Sequence, residues 1–370
     1  MALQFPRRMI RLMVRVLCLL VLAIILTAGL WPFHAPHNEV GWLSEGKGLR
    51  FGRHGSIVSA GPLGGSETQS NACTLELWME PVRVDSGHAI LGFYDSASGA
   101  VPFGLRQYQR GLVLRRIHQD SHGEPEIYVG DVFTGMAPAF VTIRSGEHGT
   151  SVNVDGKLLR RVPYFSFSIQ DISGQLVVGD TPQKSYSWSG MVKGLAVYSR
   201  ELTDNEVSQE FANWEKSGRP NSADGKGLVA RYLFDEGEGN LVHNQVESAT
   251  NLIIPDRFMV LHQLFLQRPW DEFNNSRRYW KDAAINIVGF IPLGFVFRAY
   301  FATILELKRS TWLTMALGFA VSLTIEVLQS YLPTRDSGMT DLVTNTFGTA
   351  LGAVFCASVL KNGRFAELVA

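Results

Sequence analysis

Near its C-terminus the chain reads IEVLQSYLPTRDSGMTDLVTNTFG, Ile325 to Gly348, and places groups capable of acid–base or binding chemistry among apolar residues. Ser322, Glu326 and Gln329 are spaced i, i+4, i+7, which puts them on one face of a helix. Asp341, Asn345, Gly348 and Gly352 follow at i, i+4, i+7 and i+11, again on one face. Arg335 and Asp336 fall in the connection between the two faces. An ionisable side chain at membrane depth is costly, so it is a functional-site candidate whose partner should be named. Glu326 and Asp341 are the candidate general acid or base. Arg335 is the candidate to neutralise either one, or to hold a lipid phosphate or carboxylate. The plainer reading is that these groups tie the ends of helices together through hydrogen bonds. No His, Ser or Cys stands beside them in a recognisable nucleophile arrangement.

A second stretch, DAAINIVG from Asp282 to Gly289, shares the pattern D-x-x-x-N-x-x-G with DLVTNTFG, Asp341 to Gly348. The match suggests a parallel internal repeat that adds Asp282 and Asn286 to the polar set. The competing reading is that Asp suits a helix N-terminus and that Asn and Gly simply pack there.

Four apolar segments are expected to carry these groups: Leu12–Leu30, then about 283–301, 312–331 and 341–360. Each is long enough to cross about 30 Å of hydrocarbon at about 1.5 Å per residue. The first lacks a clean A-x-A site, which favours an uncleaved anchor over a signal peptide. Arg7, Arg8 and Arg11, then Lys308 and Arg309, then Lys361 and Arg364 all fall on one side of a four-helix arrangement. That is the positive-inside pattern, with Arg277, Arg278 and Lys281 against it. Trp270, Phe273, Tyr279 and Trp280 fit an interfacial aromatic belt, and His262 sits in a short apolar piece that reads as interfacial.

The formal net charge of zero argues against a general nucleic-acid binder. Of three cysteines, Cys18 and Cys356 lie in the apolar runs, leaving Cys73 alone in the polar middle. A disulfide framework is thereby excluded for that middle part, and no zinc-site spacing occurs.

Residues 35–255 are glycine-rich and strand-like, with runs such as CTLELWMEP, AILGFYD and GQLVVGD. Leu75, Leu77 and Met79 alternate with Glu76, Trp78 and Glu80, as in a half-buried strand. Turn signals at Ser145–Gly149 and at Asp155-Gly156 join neighbouring runs. Thr203 followed by Glu206 predicts a capped helix over Asp204–Trp214. Many short strands without long helices predict an antiparallel β-sandwich.

The pieces GKGLRF, TLELWMEP, TSVNVDGKLL and GLAVYSRELTDNEV resemble, in order, the laminin-G-like, concanavalin A-type lectin/glucanase jelly roll over about 38–214. LVARYLFDEGEGNLVHN, Leu228 to Asn244, resembles the opening strand of such domains, which implies a permuted-like strand beside the N-terminal one. The resemblance implies carbohydrate or other ligand binding. No E-x-D-x-E glucanase signature is present, and Glu236 and Glu238 read as solvated turn residues. Asp95, Asp155 and Asp180 are of the type that holds calcium, yet turn aspartates more often bond their own backbone. No cofactor or metal is therefore assigned. Trp42, Trp78 and Trp188 are candidate sugar-stacking groups, with core packing as the default.

NIVGFIPLGF, SLTIEVLQSYLPTRD and DLVTNTFGTALG together resemble the VanZ-like membrane family. The matching positions are Asn286, Phe290, Pro292, Gly294, Glu326, Gln329, Arg335, Asp341, Asn345 and Gly348. The family is associated with glycopeptide (teicoplanin) resistance and envelope polysaccharide, so the resemblance implies a cell-envelope role without a reaction. The expected organisation is a cytoplasmic N-terminus and first span over 1–34, and an extracytoplasmic sandwich over 35–255. An interfacial segment over 256–281 and a VanZ-like part with three spans over 282–370 follow. The expected partners are the bilayer and a glycan or cell-wall precursor, in a bacterial-type inner membrane with both termini cytoplasmic. The alternative is an intramembrane enzyme acting on a lipid-linked substrate.

Overall fold

A computed structural model describes residues 7–361, apart from 45–46, 65–69, 85–86, 117–125, 184–186, 218–224 and 247–249. Arg364 lies outside the described residues. The chain forms two compact units, Met1–His34 with Gln263–Ala370, and Ala35–His262.

The first unit is helical: α1 (Arg7–Leu30), then, after the β-unit with its own α2 (Asp204–Ser217), α3 (Pro269–Glu272), α4 (Arg277–Ala302), α5 (Leu307–Gln329) and α6 (Met339–Lys361). Helices α1, α4, α5 and α6 are long and apolar enough to cross a membrane. Each begins before the apolar run read from the sequence, because polar first turns such as RRYWKD continue the helix without a breaker. Ser276 caps α4 by accepting from the Tyr279 N–H at 3.2 Å.

Glycines decide how these helices meet. A Cβ on Gly294 of α4 would fall 2.0 Å from the Thr349 carbonyl oxygen of α6, and one on Gly348 would fall 2.2 Å from that of Ile287. Gly352 meets the Ile291 carbonyl in the same way. Matching 287 with 348 and 291 with 352 makes α4 and α6 parallel neighbours at near-backbone contact. Gly289 meets nothing within 4 Å, so the two D-x-x-x-N-x-x-G glycines are not equivalent; Gly294 holds the packing place. Cys18 Sγ donates to the Val296 carbonyl, and Arg15 lies over the Tyr300 ring, which sets α1 antiparallel to α4. At the far end Arg298, fully buried, donates to the Leu307 carbonyl and the Thr311 hydroxyl and fastens the α4–α5 turn.

The second unit is an antiparallel β-sandwich of two sheets, eight-stranded among the described residues. One sheet runs β1 (Val40–Trp42), β2 (Leu49–Phe51), β13 (Gly190–Tyr198), β4 (Cys73–Pro81), β9 (Ala139–Gly146), β10 (Gly149–Val154) and β11 (Lys157–Val162), with β14 (Leu228–Tyr232) also on β13. The other runs β15 (Leu241–Val242), β16 (Leu252–Ile253), β3 (Ile57–Pro62), β12 (Gln175–Val178), β5 (Gly87–Asp95), β6 (Ala100–Tyr108), β7 (Gly111–Arg116) and β8 (Glu126–Val129). Leu75, Leu77, Phe93, Phe103, Leu112, Ile143 and Val197 belong to the core between the sheets. The late strand β14 pairs with β13 rather than with an N-terminal strand; β2 takes the other half of the same β13 edge. Residues 256–262 belong to this unit: the His262 ring stacks on Tyr94, and the His262 backbone N–H donates to the Pro182 carbonyl.

Strand β4 departs from the half-buried reading. Leu75, Leu77 and Met79 face the core as expected, yet Glu76 is equally buried, because α2 covers the outer face of β4 and β9. Trp214 of α2 packs edge-on to Trp78 and against Phe140. The expected capping box forms: Thr203 N–H donates to Glu206 at 2.7 Å, and Glu206 N–H donates to the Thr203 hydroxyl.

Candidate functional site

Helices α5 and α6 bring the sequence-predicted polar residues to one end of the helical unit. Glu326, 1% exposed, accepts from the Gly338 N–H at 2.8 Å and from the Ser337 hydroxyl. Asn345 Nδ2 donates to the Ser322 hydroxyl at 3.0 Å, joining the two predicted faces across α5 and α6. Asn286 Nδ2 donates to Asp341 Oδ1 at 2.7 Å, which adds α4. Gln329 Nε2 donates at 2.8 Å to the Gly29 carbonyl at the end of α1. The buried oxygens Asn345 Oδ1 and Gln329 Oε1 accept no hydrogen bond from a described residue.

Arg335 does not neutralise Glu326 or Asp341. Its guanidinium donates twice to the Trp31 carbonyl just beyond α1. The last carbonyls of a helix have no intrahelical partner and carry its negative end, so they attract a cation. Gln263 holds the same loop by donating to the Leu332 and Arg335 carbonyls. Asp282 is largely exposed and lies 3.9 Å from Arg278, one turn away, while its charge acts on Asp341 without a hydrogen bond to it. Asp336 is also exposed.

Sequence reasoning missed Glu272. This last residue of α3 accepts from the Thr340 N–H and hydroxyl at the start of α6, and its carboxylate fills the space where Gly338 has no side chain. Three carboxylates, Glu272, Glu326 and Asp341, therefore converge on the first turn of α6 and the Gly338 linkage before it. N-terminal helix turns favour negative charge, which accounts for part of this gathering. The signal in the sequence was a carboxylate within an aromatic interfacial segment, with no spacing to connect it to α6. Around that segment Phe273, Tyr279 and Trp280 form edge-to-face pairs, and Trp270, Phe273 and Trp280 are exposed.

The β-unit holds a second buried polar layer, beneath α2. Glu76 has its Oε2 3.4 Å from the Tyr198 hydroxyl; burial, then the nearby Glu210, pushes its carboxyl up to about 8. Arg144 donates to the Leu202 carbonyl at 2.8 Å, to Asn153, and to Asp204 at 2.6 Å. Arg200 grips Glu206 through both guanidinium ends and holds that carboxyl down at about 2.

Other candidates in this unit have structural partners. Trp188 is buried and donates to Gln107, Trp78 packs on Trp214, and Trp42 donates to the Gly239 carbonyl. Asp95 bonds Ala97 and Ser98, Asp155 accepts from Phe140 N–H, and Asp180 accepts from Thr181 N–H and Ser187. Among the described residues, no group of three or more His, Cys, Asp or Glu is placed to hold a metal ion. Glu236 is not a solvated turn residue: it accepts from the His243 N–H at 2.6 Å and fixes the approach to β15.

A lectin-like sandwich and a bundle of membrane-length helices with an acidic polar end define the class. Residues 229–361 match the VanZ/LLP1 family model, and residues 55–208 match Laminin_G_3, of the Concanavalin A-like lectin/glucanases superfamily. The chain thus joins a VanZ-like membrane part to a concanavalin A-like domain. The VanZ match begins inside the sandwich, at β14, earlier than the sequence motifs do. No curated protein matches the chain. Similar solved structures include a protein described as carbohydrate binding from Bacteroides ovatus ATCC 8483, 12% identical over 62% of each chain at a TM-score of 0.40. The CBM40 of a Ruminococcus gnavus IT-sialidase is 16% identical over 44% of this chain and 95% of that one, with a TM-score of 0.35. The Botulinum Neurotoxin serotype G binding domain is 10% identical over 49% and 46%, with a TM-score of 0.36.

Proposed function

We propose that this is a multi-pass envelope protein of a bacterial-type inner membrane, with both termini cytoplasmic and the β-unit outside. The β-unit binds a glycan or cell-wall precursor, and the Glu272–Glu326–Asp341 end of the helical unit recognises the polar part of an envelope ligand. One observation supports this most: the chain leaves the helical unit after Trp31 and returns through α3 at the same end that holds Glu326 and Asp341. A binding domain threaded into the chain at that end belongs on the same membrane side as the polar cluster. The basic residues Lys308, Arg309 and Lys361 belong to the opposite ends of α5 and α6, as a cytoplasmic side requires.

Reporter fusions after residues 35, 250, 308 and 365 test the arrangement. The first two are expected outside and the last two inside; a cytoplasmic β-unit overturns the proposal. The runner-up, an intramembrane enzyme using Glu326 or Asp341 as acid or base, is discriminated by Glu326→Gln. Unchanged glycopeptide susceptibility at normal protein level removes a proton-transfer role.

A further inference from the structure

The acidic end of the helical unit has its donors engaged and acceptors left over. Asn286 Nδ2 is bound to Asp341, Asn345 Nδ2 to Ser322, Gln329 Nε2 to Gly29, and the Arg335 guanidinium to Trp31. The Gly338 N–H goes to Glu326, and the Thr340 N–H and hydroxyl go to Glu272. Two buried oxygens have no donor among the described residues: Gln329 Oε1 and Asn345 Oδ1, on side chains only 7% and 4% exposed. A helical side chain leans toward the N-terminus of its helix and covers the preceding turn. Asn345 therefore leans over the turn of Asp341, and Gln329 over the turn of Glu326. A buried acceptor without a donor carries a desolvation penalty, so two of them leaning into one acidic end point to a donor that arrives from outside.

The charge at this end has one sign. The charges acting most strongly on Asp341 are those of Glu272, Asp282 and Asp336, and on Glu326 those of Asp341 and Glu272. The start of α6 contributes roughly half a positive elementary charge, which offsets only part of three converging carboxylates. Among the described residues no three of these groups surround a point that could hold a metal ion. Metal–oxygen bonds need about 2.0–2.6 Å. An ammonium instead donates along three separate N–H directions over about 2.7–2.9 Å. Glu272 and Asp341 are partly exposed and Glu326 is buried, which gives the site an open rim and a closed floor.

We infer that the Glu272–Glu326–Asp341 end binds the primary ammonium group of an envelope molecule. This rests on the reading of that end as a ligand site and names the chemistry it takes. The carboxylates supply the opposite charge, Asn345 Oδ1 and Gln329 Oε1 take N–H donors, and the exposed Asp282 and Asp336 draw the cation in. A lipid headgroup and the amine of a wall precursor present the same group.

Native mass spectrometry of the full chain in detergent tests it with equal amounts of phosphatidylethanolamine, its N-acetyl derivative and phosphatidylcholine. The second lipid lacks the positive charge, and the third lacks N–H donors. An Nα-acetyl-lysine peptide, with and without acetylation of its side chain, covers the soluble source. Wild type is expected to retain phosphatidylethanolamine at least fivefold over both other lipids if the source is a lipid. If the source is a precursor, it prefers the free-amine peptide to its acetylated form by the same factor. Glu326→Gln and Asp341→Asn each remove most of that preference. The wild-type comparison needs no variant, so it stands even where a substitution unfolds the chain. Retention of all three lipids alike, with no preference between the peptides, overturns the ammonium; it leaves the ligand-site reading standing where Glu326→Gln abolishes it, and removes both where it does not. An amine preference that survives both substitutions in folded chains overturns this location. A wild-type chain that binds neither lipid nor peptide overturns the ammonium and the ligand-site reading together.

Discussion

The two units hold the carboxylates at their helix starts in opposite ways. In the β-unit the outward acids at the start of α2 meet guanidiniums: Asp204 meets Arg144, and Glu206 meets Arg200. In the helical unit Glu326, Asp341 and Glu272 hydrogen-bond, among the described residues, to uncharged donors, namely a backbone N–H, hydroxyls and an asparagine amide. The nearest predicted cation, Arg335, is used on a backbone carbonyl instead. An acid matched to a cation is a closed structural unit, whereas acids gathered without one keep charge or proton-binding capacity for something else. The ion pairs at the start of α2 thus read as architecture, while the α5–α6 cluster is the part that the proposed function uses.

The largest expected effect tests what brings the cluster together. Gly348→Leu drives a side chain into the Ile287 carbonyl, and should cost more than about 4 kcal/mol, the range of severe overpacking and backbone displacement. Loss of the monodisperse folded species in detergent checks it; a normally folded variant would show that close α4–α6 contact is not what holds the site.

Next in size, Arg144→Met should destabilise the β-unit by about 2–3 kcal/mol, because it strands the buried Leu202 carbonyl and Asn153 acceptor. Tryptophan-fluorescence melts report it. By contrast Glu326→Gln keeps an acceptor for Gly338 N–H and should cost less than about 1 kcal/mol in melts of the detergent-solubilised chain. Equal destabilisation by both substitutions would erase the contrast between the units.

The smallest effect is a pH dependence. Glu76, buried beneath α2 beside Glu210, has no guanidinium bonded to it among the described residues. Its carboxyl rises from 4.5 to about 8 on folding, so the folded chain holds a proton that the unfolded chain has released across that interval. Its contribution is fully present below about pH 4.5 and is lost as pH rises toward 8. Glu76→Gln should flatten the fall in β-unit melting temperature between pH 5 and pH 8. An unaltered slope would place that titration elsewhere.

Much of this was legible in the sequence. The spacing of Ser322, Glu326 and Gln329, and of Asp341, Asn345 and Gly348, placed two polar faces that do meet, through Asn345 and Ser322. Thr203 and Glu206 announced their helix end. The reading of Arg335 failed because opposite charge in a short loop says nothing about competing acceptors, and an orphan carbonyl at the end of α1, about 300 residues away, won. Glu76 was misread because alternation reports only that two faces differ, not that a later helix covers the polar one. Glu272 was invisible because its partners, Gly338 and Thr340, lie in a distant segment.

The sequence by itself determined local matters: which stretches are long and apolar enough to span, which alternate as strands, where helices start, and which side chains share a helix face. Those follow from periodicity and capping, which act within a few residues. Tertiary structure alone decided that Gly294, not Gly289, meets α6, and that Arg335 serves α1. It also decided that three carboxylates share one helix start. Each of these depends on which distant backbone approaches closely enough to offer a hydrogen bond or remove the space for a side chain, and no local pattern encodes that distance.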